Sequence, residues 1–94
     1  MGDEEIVQRL DAAPGWTLTG GAIEKRYDFA DYHRTMAFVN ALAWVAHAED
    51  HHPDLLVAYS RCTVRFNTHA ASGITINDFI CAAKVDALQH TSAP

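Results

Sequence analysis

Apolar and polar positions in the first third of the chain show helical periodicity first and strand periodicity afterwards. Apolar residues within 3–13 fall at helical spacing behind an acidic first turn, which predicts a helix that ends at Pro14-Gly15. Residues 16–19 and 23–29 are typical of short strands, and Gly20-Gly21 between them predicts a tight turn. This part of the chain is therefore expected to form a helix followed by an antiparallel hairpin.

Residues 32–48 carry a wide apolar arc at helical spacing. Two adjacent stripes make up this arc, and Asp31 before them is a favourable N-cap. The width suits a helix that packs on a sheet and also on a second subunit, so we expect an oligomer. Pro53 cannot continue the helix and restricts His52 to extended geometry. His51 and His52 are therefore predicted to lie where this helix ends and a strand begins.

The second half of the chain predicts two more strands and a last helix. The strands are expected at 55–59 and 62–68, and His69 follows the polar row of the second, on the side away from the core or at the strand end. Thr75 and Asp78 have the spacing of a capping box, which predicts the start of a helix. The order α-β-β-α-β-β-α predicts an α+β fold, with an antiparallel sheet and helices packed on one face.

Length and charge limit the functional classes. The 94 residues predict a single domain, residues 1–94, with one modest core. A net charge of −5 without any basic run argues against a nucleic-acid partner or an acidic membrane surface. No apolar run approaches the ~20 residues of a membrane span, and the acidic segment 1–5 does not resemble a signal peptide. Cys62 and Cys81 form no C-x-x-C motif and are expected to be reduced core residues, so we expect a cytoplasmic protein.

Histidines are concentrated between residues 47 and 78. His47, His51, His52 and His69 lie in this window. Imidazole exchanges protons near neutrality because its ordinary pKa is about 6.5. Titratable groups cost free energy when they are buried without partners, so several that converge indicate chemistry rather than packing.

A set of residues at fixed spacing resembles the signature of the pterin-4a-carbinolamine dehydratase family. His51-His52-Pro53 is followed after five residues by Tyr59, after nine more by His69 and after eight more by Asp78. The resemblance extends over nearly the whole chain, including the long alanine-rich helix and the entry to the last helix. It implies a four-stranded antiparallel sheet with helices on one face, assembled as a dimer or a tetramer.

The resemblance also implies an activity and the residues that perform it. Members of the family dehydrate 4a-hydroxytetrahydropterins such as 4a-hydroxytetrahydrobiopterin to quinonoid dihydropterin, which recycles the pterin for an aromatic amino acid hydroxylase. His51 and His69 resemble the catalytic acid/base pair, with the choice of acid and base left open. His52, Pro53 and Asp78 resemble the substrate-binding residues. No cofactor or metal is implied, and acid–base help of this kind contributes about 10²–10⁴-fold per group.

One position departs from the family pattern. The family usually has an acidic residue four positions before the first histidine of the pair, where this chain has His47. If that carboxylate orients the catalytic imidazole, its role is expected to fall to Glu49 or Asp50, or to be missing.

Other interpretations of the same residues remain open. The four histidines could bind zinc, although Pro53 interrupts the helix and no cysteine or carboxylate completes a familiar spacing. The chain could also be a non-catalytic protein-binding or dimerisation module on the same fold. Asp78 could serve only as a helix cap.

Overall fold

The computed structural model describes residues 1–68 and 73–91 of the chain. In these residues the elements are, in order, α1 (Asp3–Asp11), β1 (Thr17–Thr19), β2 (Ala22–Asp28), α2 (Tyr32–Glu49), β3 (Asp54–Val57), β4 (Arg61–Phe66) and α3 (Ile76–Thr91). The predicted order and the α+β class are confirmed. β3 ends before the predicted position because the N–H of Ala58 already bonds to the carbonyl of Arg61 at 2.8 Å, which closes the turn to β4.

The sheet is antiparallel and has the strand order β1-β2-β4-β3 among the described residues. β2 and β4 are central, and Tyr27 pairs with Cys62 while Lys25 pairs with Val64. β3 lies at one edge, where Leu55 pairs with Val64. α2 connects β2 to the edge strand β3, and β4 then returns between these two strands in the middle of the sheet. The end of α2 and the end of β4 can therefore border the same site.

The core lies on one face of the sheet, as predicted. Its members come from α1, the hairpin, α2, β4 and α3: Ile6, Trp16, Ile23, Tyr27, Phe38, Leu42, Cys62, Val64, Phe66, Ile74, Phe79, Cys81, Ala82 and Val85. The opposite face carries polar and charged side chains, such as the Glu24–Arg65 ion pair at 2.6 Å. Burial of each large apolar side chain contributes about 1.5–3 kcal/mol, so this single face supplies most of the driving force for folding.

Only part of the apolar arc of α2 packs into this core. Asp31 caps the helix as predicted, because its carboxylate accepts the N–H of Arg34 at 2.8 Å. The buried positions are Thr35, Phe38, Leu42 and Ala46. Tyr32 and Trp44 remain 51% and 73% exposed. The wide apolar arc is thus larger than the surface that the chain's own core covers.

Asp86 of α3 ties the last helix to the N-terminal hairpin. Its carboxylate accepts hydrogen bonds from Trp16 Nε1 at 3.0 Å, from Lys25 Nζ at 2.8 Å and from the hydroxyl of Tyr27. Burial, the hydrogen bond to Asp86 and the charge of Asp86 together raise the pKa of Tyr27 well above its ordinary value. Asp86 lies in the second half of α3 and its partners lie within residues 16–27, so this cluster can serve as a reference for mutations that affect stability alone.

None of the helices in the described ranges combines the length and the apolar character that a bilayer span requires.

Candidate active site

The end of α2 turns the chain so that consecutive histidines have different surroundings. Asp50 adopts the left-handed conformation (φ 49°, ψ 44°), which aspartate tolerates better than most residues other than glycine. The N–H of Asp50 bonds to the carbonyl of His47 at 3.2 Å, and the N–H of His51 bonds to that of Ala46 at 3.1 Å. These two bonds form a Schellman motif. His51 is consequently partly buried, whereas His52 is exposed.

His51 is held from two sides. Its Nε2 lies 2.6 Å from Oδ1 of Asp78. Its ring stacks on the ring of Phe66 with a centroid distance of 5.9 Å and an interplanar angle of 8°. The side chain of His51 is 15% exposed and that of Asp78 is 0% exposed. The imidazole is therefore fixed in orientation but still reaches solvent.

Asp78 belongs to the start of α3 and forms the predicted capping box. Its Oδ2 accepts the N–H of Thr75 at 2.9 Å, and Oγ1 of Thr75 accepts the N–H of Asn77 at 3.3 Å. Oδ2 also accepts the hydroxyl of Thr68 at 2.9 Å. The same carboxylate thus caps α3 and binds His51. Asp78 can therefore be a helix cap and a residue of the site at the same time.

A cleft of about 420 Å³ opens beside His51, which is a volume suited to a small ligand. Its lining consists of residues from the end of α2, from β3 and from the end of β4: Asp50, His51, His52, Pro53, Asp54, Asn67 and Thr68. The structure thus brings together His51, His52 and Pro53 at one cleft. Asp78 is not among the lining residues and is connected to the cleft through His51 and Thr68.

His69 lies outside the described residues, as do residues 70–72. The residues on either side of this segment are joined by an antiparallel bridge. The N–H of Thr68 bonds to the carbonyl of Gly73 at 2.8 Å, and the N–H of Gly73 bonds to the carbonyl of Thr68 at 3.4 Å. Since Thr68 lines the cleft, the chain enters and leaves this segment next to the site.

The sequence left the orienting role to Glu49, to Asp50 or to no residue, and in the described structure Asp78 is the carboxylate next to His51. Glu49 accepts Lys84 Nζ at 2.5 Å. Asp50 lines the cleft. Asp78, which is 27 residues from His51 in sequence, takes the place next to the imidazole because α3 begins beside the end of α2. His47, at the position where the family has an acid, is exposed at the end of α2.

The sequence analysis assigned no role at the site to two residues of this arrangement, Phe66 and Thr68. Both follow Cys62 and Val64 at every second position, on the row of apolar side chains of the predicted strand. The available signal was a threonine at the end of that row, since a hydroxyl next to a core requires a hydrogen-bonding partner.

Two other titratable groups lie near the site, His47 and Cys81. Among the residues that the structure describes, no three His, Cys, Asp or Glu side chains are placed to hold a metal ion. The ring of His47 instead contacts Trp44 edge-on, at a centroid distance of 6.0 Å. Burial, with smaller contributions from the charges of Glu49 and Asp78, raises the pKa of the Cys81 thiol to about 11. Cys81 is therefore a protonated core thiol near neutrality.

Comparison with known proteins gives a consistent result. A family model described as pterin 4 alpha carbinolamine dehydratase matches residues 1–88. Over 88 residues the chain is 56% identical to a Chromobacterium violaceum protein named as a pterin-4-alpha-carbinolamine dehydratase, covering 94% of this chain and 82% of the relative. A relative from Nitrosospira multiformis with the same name is 51% identical over 88 residues, covering 94% of this chain and 78% of the relative.

Solved structures show the same relationship. The crystal structure of a transcriptional coactivator/pterin dehydratase from Brucella melitensis has a TM-score of 0.89 and 31% identity, over 93% of this chain and 95% of that one. A pterin dehydratase-like protein identified as a RuBisCO assembly factor has a TM-score of 0.65 at 24% identity, over 78% and 84% of the two chains, and shows a shared fold alone. The resemblance drawn from the histidine signature is confirmed, and the chain belongs to the pterin-4-alpha-carbinolamine dehydratase family of lyases.

Proposed function

We propose that this protein removes water from a 4a-hydroxytetrahydropterin and releases quinonoid dihydropterin. The observation that carries the proposal is the imidazole of His51, which borders the cleft while the buried carboxylate of Asp78 fixes its orientation. The names of the relatives give the substrate class. A cytoplasmic location fits the proposal, because Cys62 and Cys81 are buried free thiols of the kind that reducing compartments preserve.

The reaction requires two proton transfers at one flat ring. The N5–H bond breaks and its electron pair forms the C4a=N5 double bond. The C4a–O bond breaks, and the departing hydroxyl takes up a proton to leave as water. Two imidazoles, one neutral and one charged, perform both transfers near pH 7, and each contributes about 10²–10⁴-fold. We assign these transfers to His51 and His69.

The remaining residues of the signature divide between binding and positioning. His52 and Pro53 line the cleft, so we assign them to substrate binding. Asp78 is fully buried beneath His51. We therefore assign Asp78 to the support of His51 rather than to direct contact with the pterin.

Stopped-flow measurement of 4a-hydroxytetrahydropterin breakdown tests the activity. The protein should accelerate breakdown, and His51→Ala and His69→Ala should each lower kcat by about 10²-fold while the far-UV spectrum stays unchanged. The double variant should fall close to the uncatalysed rate, with a loss that is not the product of the two single losses. His33→Ala, at an exposed position on α2, is the matched control and should retain full activity.

Failure of this assay has a defined meaning. If the folded wild-type protein does not accelerate breakdown, the dehydratase proposal is wrong and a non-catalytic binding module on the same fold becomes the better hypothesis. If His69→Ala keeps full kcat and KM, the two-histidine assignment is wrong even though the activity stands.

We also propose that the protein is a homo-oligomer, either a dimer or a tetramer, which supplies recycled pterin to an aromatic amino acid hydroxylase. Apolar surface remains uncovered on α2, and on the edge strand Leu56 is 70% exposed. The rings of Tyr32 and Tyr59 stack on each other at the surface, with a centroid distance of 6.1 Å, and link the start of α2 to the turn after β3. A second copy of the chain would cover this surface.

A further inference from the structure

The hydrogen bonds around Asp78 have a direction that can be derived from the number of protons available. The hydroxyl of Thr68 has one proton and donates it to Oδ2 of Asp78 at 2.9 Å. Oγ1 of Thr68 also lies 2.7 Å from Oγ1 of Thr75. Because the Thr68 proton is already used, Thr75 must be the donor in that second bond. Oγ1 of Thr75 in turn accepts the N–H of Asn77. The donors therefore follow one direction, from Asn77 through Thr75 and Thr68 to Asp78.

This direction fixes the proton on His51. Oδ2 of Asp78 accepts the hydroxyl of Thr68 and the N–H of Thr75, each at 2.9 Å, which turns Oδ1 toward the imidazole. An ionised carboxylate can only accept, so Nε2 of His51 must carry the proton of their 2.6 Å bond. In the neutral imidazole the other nitrogen, Nδ1, then has a free lone pair.

Nδ1 is also the ring nitrogen that a ligand can reach. Within the described residues, the hydrogen bonds of the His51 ring involve Nε2 alone. His51 lines the cleft, and no described group bonds to Nδ1, so Nδ1 is the ring nitrogen left for a ligand. The stacking on Phe66 keeps the ring from turning out of this plane.

We propose that Thr68 is a positioning residue whose hydroxyl locks the Asp78 carboxylate and thereby holds His51 as the Nε2–H tautomer, with Nδ1 facing the cleft as a proton acceptor. The inference rests on the proposed function for the identity of the reaction. In that reaction Nδ1 takes the proton from N5 as the C4a=N5 bond forms, and the departing hydroxyl takes its proton from the second group, assigned to His69. His51 is then the base of the pair and His69 the acid.

The first part of the test needs no substrate. ¹⁵N NMR of histidine-labelled protein, with the His51 signals identified from their loss in His51→Ala, reports the tautomer directly. We expect a protonated Nε2, an unprotonated Nδ1 and an Nε2–H that exchanges slowly with water because it is bonded to Asp78. A protonated Nδ1 with a bare Nε2 in the wild-type protein would overturn the proposal whatever its activity.

The second part uses a matched set of variants. Thr68→Val removes the hydroxyl, Thr68→Ser retains it, and Thr63→Val makes the same replacement on the other face of β4. We expect Thr68→Val to lower kcat about tenfold with KM within twofold, and to speed exchange of the Nε2 proton. Thr68→Ser and Thr63→Val should match the wild type in both measurements. Thr68→Ala replaces Thr68→Val if the valine variant does not fold.

The outcomes separate this inference from the proposed function. Wild-type kcat and unchanged Nε2–H exchange in a folded variant without the hydroxyl would show that Thr68 does not position the dyad, even if the protein is a dehydratase. If the protein had no dehydratase activity but showed the expected tautomer and exchange pattern, the positioning role of Thr68 would stand and only the proposed reaction would be wrong. A lower melting temperature without a change in exchange would assign Thr68 to stability and overturn the inference.

Discussion

Asp78→Asn is the substitution that separates a capping role from a role in proton transfer, because asparagine preserves the shape and removes the charge. Oδ2 of Asp78 receives two donors, the hydroxyl of Thr68 and the N–H of Thr75. In the variant the amide oxygen must take that place, since the reverse orientation would set the amide N–H₂ against both donors. Two lost hydrogen bonds cost about 2 kcal/mol or more, which exceeds the 1.4 kcal/mol of a tenfold population ratio.

The consequence at His51 is a change of tautomer. With the oxygen fixed at the Oδ2 position, the amide N–H₂ points at Nε2 of His51, which must then accept. The imidazole proton moves to Nδ1, so the nitrogen that faces the cleft becomes a donor and cannot take a proton from the substrate. We expect kcat to fall by about 10²–10⁴-fold, the full contribution of one acid–base group, with a small change in KM.

Stability should change much less than activity. Three hydrogen bonds to a charged carboxylate become neutral hydrogen bonds, the one with His51 in the reverse direction, at a cost of about 1 kcal/mol each, and the relief of a buried charge offsets part of this loss. A net loss of about 1–2 kcal/mol lowers the melting temperature by roughly 5–15 °C in a domain of this size. Stopped-flow kinetics, thermal melting and ¹⁵N NMR of His51 measure the three effects.

Asp86→Asn is the matched control for this experiment. Asp86 is on the same helix and also accepts three hydrogen bonds within the described structure, but its partners are Trp16, Lys25 and Tyr27. We expect this variant to lose stability and retain kcat. If Asp78→Asn kept kcat within twofold of the wild type while folded, Asp78 would be only a helix cap and the proton-transfer argument would be refuted.

Four further predictions address binding, assembly, metals and pH. His52→Ala should raise KM with little change in kcat, because an exposed residue of the cleft contributes to binding of ground state and transition state alike. Sedimentation should give a species larger than the 10.4 kDa monomer at micromolar concentration, and a monomer alone would refute oligomerisation. Treatment with EDTA should leave activity and melting unchanged, and a loss restored by zinc would favour the metal hypothesis. Because the pKa of Tyr27 is raised, the folded state keeps a proton that the unfolded chain releases above pH 10.0. The free energy of unfolding should therefore fall above that pH by up to about 1.4 kcal/mol per pH unit, and this fall should be smaller in Tyr27→Phe.

The order of elements was predictable from sequence because its signals are local. Asp31 bonds to an N–H three residues away, and the Thr75–Asp78 capping box closes within one turn. Such contacts depend on spacing alone, so a pattern of residues is enough to locate the start of a helix. The same holds for Pro53, which cannot continue the helix that precedes it.

The buried face of α2 was not predictable in the same way. The arc of the helix is apolar over its full width, so periodicity alone does not decide which part of it packs on the sheet. The part that packs includes Thr35, a polar residue, whose hydroxyl is hydrogen-bonded to the carbonyls of Asp31 and Tyr59. The second of these acceptors lies 24 residues away and belongs to a turn whose position depends on the strand order.

The partner of His51 illustrates the same difference at the site itself. Sequence proximity favoured Glu49 and Asp50, but the Schellman motif at Asp50 directs His51 inward to α3, where Asp78 is already held by its own capping bonds. A carboxylate with 0% exposure is costly to bury, and here the cap and the Thr68 hydroxyl offset that cost before the histidine contributes. Because the helix cap and the imidazole share one carboxylate, the start of α3 cannot loosen without releasing His51. Activity in this fold should therefore depend on the local stability of the first turn of α3, and not only on the global stability that Asp86 and the core provide.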